Sequence, residues 1–169
     1  MNDATASLEL VRDFVNTFDV ESQSDSLRTR ADLARWLAAR GIAGHAELGE
    51  AIDVREALRE LLLANNHLPA DVEGASRVLD RAARRAQLIV RFDEGAARMQ
   101  ANGGLGALLA AAAEAMASDG WTRLKACRAE TCHWAFVDLA KNRSRAWCSM
   151  KVCGNRQKAQ RFRERRAAG

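Results

Sequence analysis

Residues 127–156 read CRAETCHWAFVDLAKNRSRAWCSMKVCGNR and hold all four cysteines of the chain, Cys127, Cys132, Cys148 and Cys153. The cysteines fall into two pairs, with four residues inside each pair and 15 residues between the pairs. Two short-spaced pairs flanking a hairpin-sized insert can bring four thiolates to one point, as a tetrahedral metal site requires. We read the stretch as a site for one structural Zn2+ with these four ligands. Two disulfides or an iron–sulfur cluster would draw on the same thiols, and spacing alone does not separate them. The cysteines cluster instead of stapling distant segments, and no signal-peptide pattern precedes them, which points to a reducing, cytoplasmic setting. His133 beside Cys132 is a bystander in this reading. Four thiolates close the site and leave no open position for zinc catalysis.

Charge extends the reading outward. Residues 121–169 contain 13 Lys and Arg against three acids, a net of +10. Residues 1–120 contain 13 bases against 19 acids, a net of −6. A basic small unit on an acidic larger one suggests a polyanion partner for the first and a different role for the second. The expected domains are therefore 1–120 and 121–169. The first is long enough to bury its own core, whereas the second needs the metal. No apolar run approaches the ~20 residues of a membrane helix, so no membrane partner is expected.

Upstream, helical spacing dominates. Residues 1–6 look frayed, and Ser7 is positioned to cap a helix to about Phe18 with Leu8, Val11, Val15 and Phe18 inward. Thr29 with Asp32 forms a capping-box pattern for a second helix, ended by Gly41. A third helix spans about 46–64 with Ala51, Val54, Leu58 and Leu61 as its stripe, and Asp71 opens a fourth. Residues 87–92 are β-rich, Asp93-Glu94-Gly95 is a turn, and a return strand follows near 96–100. Gly103, Gly104 and Gly106 precede a fifth helix and lack the Lys-Ser/Thr ending of a phosphate loop. The fold class is mainly α: a helical N-terminal domain with a small β-hairpin, plus a small C-terminal treble-clef-like zinc finger made of a hairpin and a basic helix. No nucleophile–base pair is legible, so no enzyme is expected. Asn16 and Trp36 are the candidate ligand-pocket residues, with a small-molecule effector or a homodimer as the role of residues 1–120.

Within the basic unit, strands are expected over 121–126 and 134–139 and a helix from about Gly154 to Arg166. Candidate nucleic-acid contacts are Lys141, Asn142, Arg143 and Arg145 in the loop, and Asn155, Arg156, Lys158, Arg161, Arg163, Arg165 and Arg166 on the helix. Arginine suits this task because its planar fork binds two phosphate oxygens or a guanine edge at once. DNA is the first reading. An RNA- or ribosome-associated module is the second, with Trp134, Phe136 and Trp147 able to stack bases. A small-molecule binder or enzyme centred on residues 1–120 is the third.

Cys153-Gly154-Asn155-Arg156, Trp134-x-Phe136-x-Asp138 and the run from Lys141 to Met150 resemble the bacterial CGNR zinc finger proteins over about 120–166. In that family a mostly helical domain called ABATE, described as a stress-induced transcription regulator, precedes the finger. Asp13-Phe14-Val15-Asn16-Thr17 and Asp32-Leu33-x-x-Trp36-Leu37 are similar to its opening segments. Arg12 stands where the family usually has leucine, and Ala140 where serine is frequent. The resemblance implies zinc, a DNA role and transcription regulation.

Overall fold

The computed structural model describes residues 3–93 and 95–167. Its elements run α1 (Asp3–Val15), β1 (Phe18–Asp19), β2 (Ser24–Asp25), α2 (Arg30–Ala38), α3 (Leu48–Asn65), α4 (Val72–Arg85), β3 (Ile89–Asp93), β4 (Ala96–Gln100), α5 (Gly103–Met116), β5 (Leu124–Ala126), β6 (Ala135–Val137) and α6 (Asn155–Ala167). The strands form three antiparallel two-stranded ribbons, β1–β2, β3–β4 and β5–β6. A 3-10 turn, Trp121–Arg123, leads into β5, so the expected strand 121–126 is half its anticipated length. A wide π turn, Met150–Gly154, leads into α6. The chain is mainly α with small ribbons and a cysteine-rich C-terminal region, as its sequence implies. No described helix is long and apolar enough to cross a membrane.

α1 starts at Asp3, five residues before the Leu8 start that a Ser7 cap implies. Ser7 does not cap it: the residue is buried within the helix, and its hydroxyl donates to Glu114 Oε2 of α5 at 3.3 Å. Met1 and Asn2, part of the stretch expected to fray, lie outside the described residues, as does Glu94 of the expected turn. Val11, Phe14 and Val15 of α1 are fully buried against α3 and α5, alongside Val54, Leu58, Leu62 and Leu108. Leu62 takes the buried place expected of Leu61, which is only half-buried.

Local signals explain the helix starts. Thr29 Oγ1 accepts from the Asp32 amide (3.1 Å) and Asp32 Oδ2 accepts from the Thr29 amide (2.9 Å), a reciprocal cap that satisfies two otherwise unpaired amides. Asp71 accepts from the Gly74 amide at 2.8 Å and opens α4. Gly103, Gly104 and Gly106, expected to precede the fifth helix, form the first turn of α5 and serve close packing. Gly44 has φ +103°, and a Cβ there would lie 2.9 Å from the Gly104 nitrogen and 3.0 Å from the Gly103 Cα. The Gly104 amide then donates to the His45 carbonyl at 3.2 Å, so the loop before α3 lies flat on the start of α5.

The core does not stop at residue 120. Leu124 and Ala126 of β5 and Ala135 of β6 are buried in the same cluster as α1 and α3. Asn16 Nδ2 donates to the Ala135 carbonyl (2.9 Å), and the Ala135 amide donates back to Asn16 Oδ1 (2.7 Å). Asn16 thus acts as one more strand residue beside β6.

Candidate metal centre and basic surface

β5 delivers Cys127 to the end of the finger ribbon, and the tight turn 129–133 returns Cys132 to it. The Cys132 and His133 amides both donate to the Ala129 carbonyl, at 2.8 and 3.3 Å. His133 adopts φ +49° at the turn's end. Cys148 precedes the π turn and Cys153 lies within it, where the Gly154 amide donates to the Ser149 carbonyl at 3.0 Å. Gly154 fits under Met150 and Trp147, whose nearest atoms would stand 2.8 and 3.3 Å from an added Cβ.

The four sulfurs lie within 4.8 Å of one another, with Cys132–Cys148 and Cys148–Cys153 each at 3.6 Å. A zinc–sulfur bond of about 2.3 Å places tetrahedral thiolates roughly 3.8 Å apart. The donor set therefore fits one tetrahedral zinc ion, and the sulfurs are too far apart to be disulfide-bonded. Cys127, Cys132 and Cys153 are buried, with Phe136 and Ala129 around them, and Cys148 is half-buried. His133 is not among the four donors.

The thiols cannot all ionise without a cation. Cys127 is pushed down to about 5, chiefly by a hydrogen bond from Cys132, with help from the Ala129 and Cys148 amides. Cys132 is pushed up by donating that bond, and burial pushes Cys148 up to about 12. A divalent cation removes the conflict by replacing the shared protons, so metal uptake releases them.

Polar side chains of the helical region hold the finger in place. Arg59 of α3 is 4 % exposed, and its guanidinium donates to the carbonyls of Val15 (2.8 Å), Phe18 (3.2 Å) and His133 (3.2 Å). One side chain thus caps α1 and grips the first cysteine turn. Arg55, 3 % exposed, donates to Asp25 Oδ1 at 2.8 Å, and Glu56 bridges Arg55 and Arg59 at 2.8 and 2.9 Å. Asn66 Nδ2 donates to the Ala126 and Ala146 carbonyls (2.7 and 2.9 Å), and Arg128 Nε donates back to the Asn66 carbonyl (2.9 Å). Asn65 Nδ2 reaches the Trp121 and Leu124 carbonyls, both at 3.0 Å.

Asp138 organises the basic loop. It is fully buried and accepts from Lys125 Nζ (2.7 Å) and the amides of Arg145 (2.9 Å) and Ala140 (3.0 Å). Lys125 Nζ also donates to the Arg143 carbonyl at 2.5 Å. Burial alone would raise the Asp138 carboxyl, but the bonds from Lys125 and the two amides outweigh it and hold it below the ordinary carboxylate value.

The candidate nucleic-acid residues divide accordingly. Arg145 turns inward: Nε donates to the Trp147 carbonyl at 2.9 Å, the guanidinium also reaches the Cys148 carbonyl, and it lies 4.9 Å from the Phe136 ring centre. It braces the second cysteine pair and is not a free phosphate contact. Arg123, Lys125 and Arg128 are likewise turned to internal carbonyls. The other nine cations of 121–169 are exposed: Lys141, Arg143, Lys151, Arg156, Lys158, Arg161, Arg163, Arg165 and Arg166. Asn142 accepts from the Ser144 hydroxyl (2.7 Å), and Asn155 donates to the Lys151 carbonyl (3.2 Å). Arg156 contacts Glu21 (2.7 Å) and Thr131 (3.3 Å). Of the three candidate stacking rings, Phe136 is buried and Trp147 packs on the cysteine cluster, which leaves Trp134 at 38 % exposure.

The expected pocket at Asn16 and Trp36 gives way to structural roles. Both amide atoms of Asn16 are taken up by Ala135. Trp36 lies 5.3 Å from Phe14, ring centre to ring centre, with Arg40 stacked 3.9 Å above it.

Fold and site together define a zinc-finger protein whose finger is built onto a helical domain. Residues 123–166 match the CGNR zinc finger family, and residues 8–120 match ABATE, "Putative stress-induced transcription regulator". The second match spans more than half of the chain, and the chain belongs to the ABATE family, with a CGNR zinc finger at its C-terminal side. No curated protein matches it.

Proposed function

We propose that this chain is a DNA-binding transcription regulator whose metal-held finger applies α6 and the 141–143 loop to the phosphate backbone. The observation behind this reading is the state of α6. Every cation on it is exposed, Phe162 is 56 % exposed, and among its described residues only Gln157, in the first turn, is even half-buried. Arg161 and Arg165 stand at i,i+4, and Lys158–Arg161 and Arg163–Arg166 at i,i+3, spacings at which like charges repel. An anionic partner along the helix relieves that repulsion. The loop supports the reading because Asp138 fixes its backbone before any partner arrives. Phe136 is buried and Trp147 packs on the cysteine cluster, so two of the three rings that favoured single-stranded RNA are engaged within the protein.

The test is fluorescence anisotropy of the zinc-loaded full-length chain on duplex DNA and on single-stranded RNA, across a salt series. Expected is duplex binding that falls steeply with salt, with a slope of about −0.9 per phosphate contacted, and that a chelator abolishes. Replacing Arg161 and Arg165 by Gln should flatten the slope by about 2. An unchanged slope, or tighter binding to RNA at matched salt, defeats the proposal.

A further inference from the structure

The β3–β4 ribbon stands away from the helical body. All of β3 is exposed, and in β4 only Met99 is half-buried. Phe92 is 84 % exposed, and Ile89 and Val90 are each about half exposed. Strand alternation puts Val90, Phe92, Ala97 and Met99 on one face, and Arg91, Asp93 and Arg98 on the other. The register sets Arg91 directly opposite Arg98, an unfavourable like-charge pair. Arg91 Nε donates to Gln100 Oε1 at 2.9 Å. A lone two-stranded ribbon is marginal in water. β4 leans on α5, but no described strand pairs with the outer edge of β3, which therefore presents free backbone donors and acceptors.

We propose that the edge of β3 pairs with β3 of a second copy of this chain, antiparallel, about a two-fold axis through Phe92. This register sets Phe92 against Phe92 of the second copy. It also sets Arg91 against Asp93 of the second copy, once on each side of the axis. Each Arg91–Arg98 pair thereby gains a carboxylate, and the most exposed aromatic ring of the molecule gains a ring to pack on. Moving the axis to Arg91 would oppose two arginines, so charge selects between the registers. The ribbon suits a protein partner better than a polyanion, since residues 88–100 hold two arginines against Asp93 and Glu94, a net charge of zero. Three β3 residues from each copy, Arg91 to Asp93, face one another in this register and form a small isologous interface, so the dimer is weak and reversible.

Sedimentation velocity of the zinc-loaded full-length chain, over a concentration series without nucleic acid, tests this independently of the proposed DNA role. A reversible dimer is expected. Arg91→Asp and Asp93→Arg should each weaken it roughly tenfold, and the two together should restore it because the pairs re-form with their signs exchanged. Circular dichroism checks that every variant folds. A chain that stays monomeric, a dimer indifferent to the reversals, or single variants that the double does not rescue would overturn the proposal. A monomer whose duplex affinity drops on Arg91→Asp would assign the ribbon to nucleic acid instead.

Discussion

Asp138 is a carboxylate with no access to solvent, and it holds one ammonium and two amides that together set the path of the basic loop. Asp138→Asn would leave the Lys125 ammonium buried without a counter-charge, and we expect a loss of about 3 kcal/mol in chemical denaturation. Replacing both by apolar residues of similar volume should cost far less, because the desolvation of both charges disappears with them. The pH dependence has a definite sign. The folded-state value of Asp138 lies below the ordinary 3.8, so its stabilisation is complete above that value and is lost as pH falls below it. Asp25, held down by Arg55 against the opposing effect of burial, behaves in the same way. The parent should therefore lose stability more steeply than Asp138→Asn below about pH 4 in acid titrations followed by circular dichroism. Asn66→Ala, which strands the Ala126 and Ala146 carbonyls, should cost about 2–4 kcal/mol. These residues were hard to read in sequence because charged and amide side chains are counted as surface unless something pairs them. Asp138 did leave a trace: it shares strand parity with the buried Phe136. Arg55 and Arg59 left a weaker one, since each neighbours a buried residue of the α3 stripe.

Elements with local punctuation were legible. The Thr29–Asp32 box, Gly41 and the Asp71 cap placed α2 and α4 to within a residue or two, since each cap is satisfied inside its own four-residue window. The start of α1 was missed because Ser7 has the chemistry of a cap but uses its hydroxyl on Glu114, 107 residues away. The finger's strands were overestimated. Three-residue ribbons are fixed by their ties to Asn16, Asn65 and Asn66, which no periodicity encodes. α6 was anticipated from composition, and its isolation bears on its order. Its charge pattern should leave it partly frayed at low salt, and duplex DNA should raise helical ellipticity by about the signal of its 13 residues. Unchanged ellipticity on saturation with duplex would mean that the helix is already complete in the free chain.

Across the whole molecule, the strands of the finger share the core of the helices. The four cysteines were legible from spacing, but their attachment to the helical core was not, because apolar Leu124 and Ala126 read equally well as the interior of a small separate finger. The structure buries them with α1 and α3 and grips the His133 carbonyl from Arg59. Chelation, or Cys148→Ser, should therefore lower the melting temperature of the helical signal by about 10 °C or more, with loss of finger and helices in one transition. Two separate transitions, with the helical one unmoved, would sink this expectation. Sharing the core across residue 120 also limits what recombination can do with the finger. Grafted onto an unrelated protein, it would arrive with Leu124 and Ala126 uncovered and no asparagines to receive its strands. Cut from its own helical partner near Ser118–Gly120 and supplied as a separate peptide, it should find that partner again and rebuild the intact molecule from two chains.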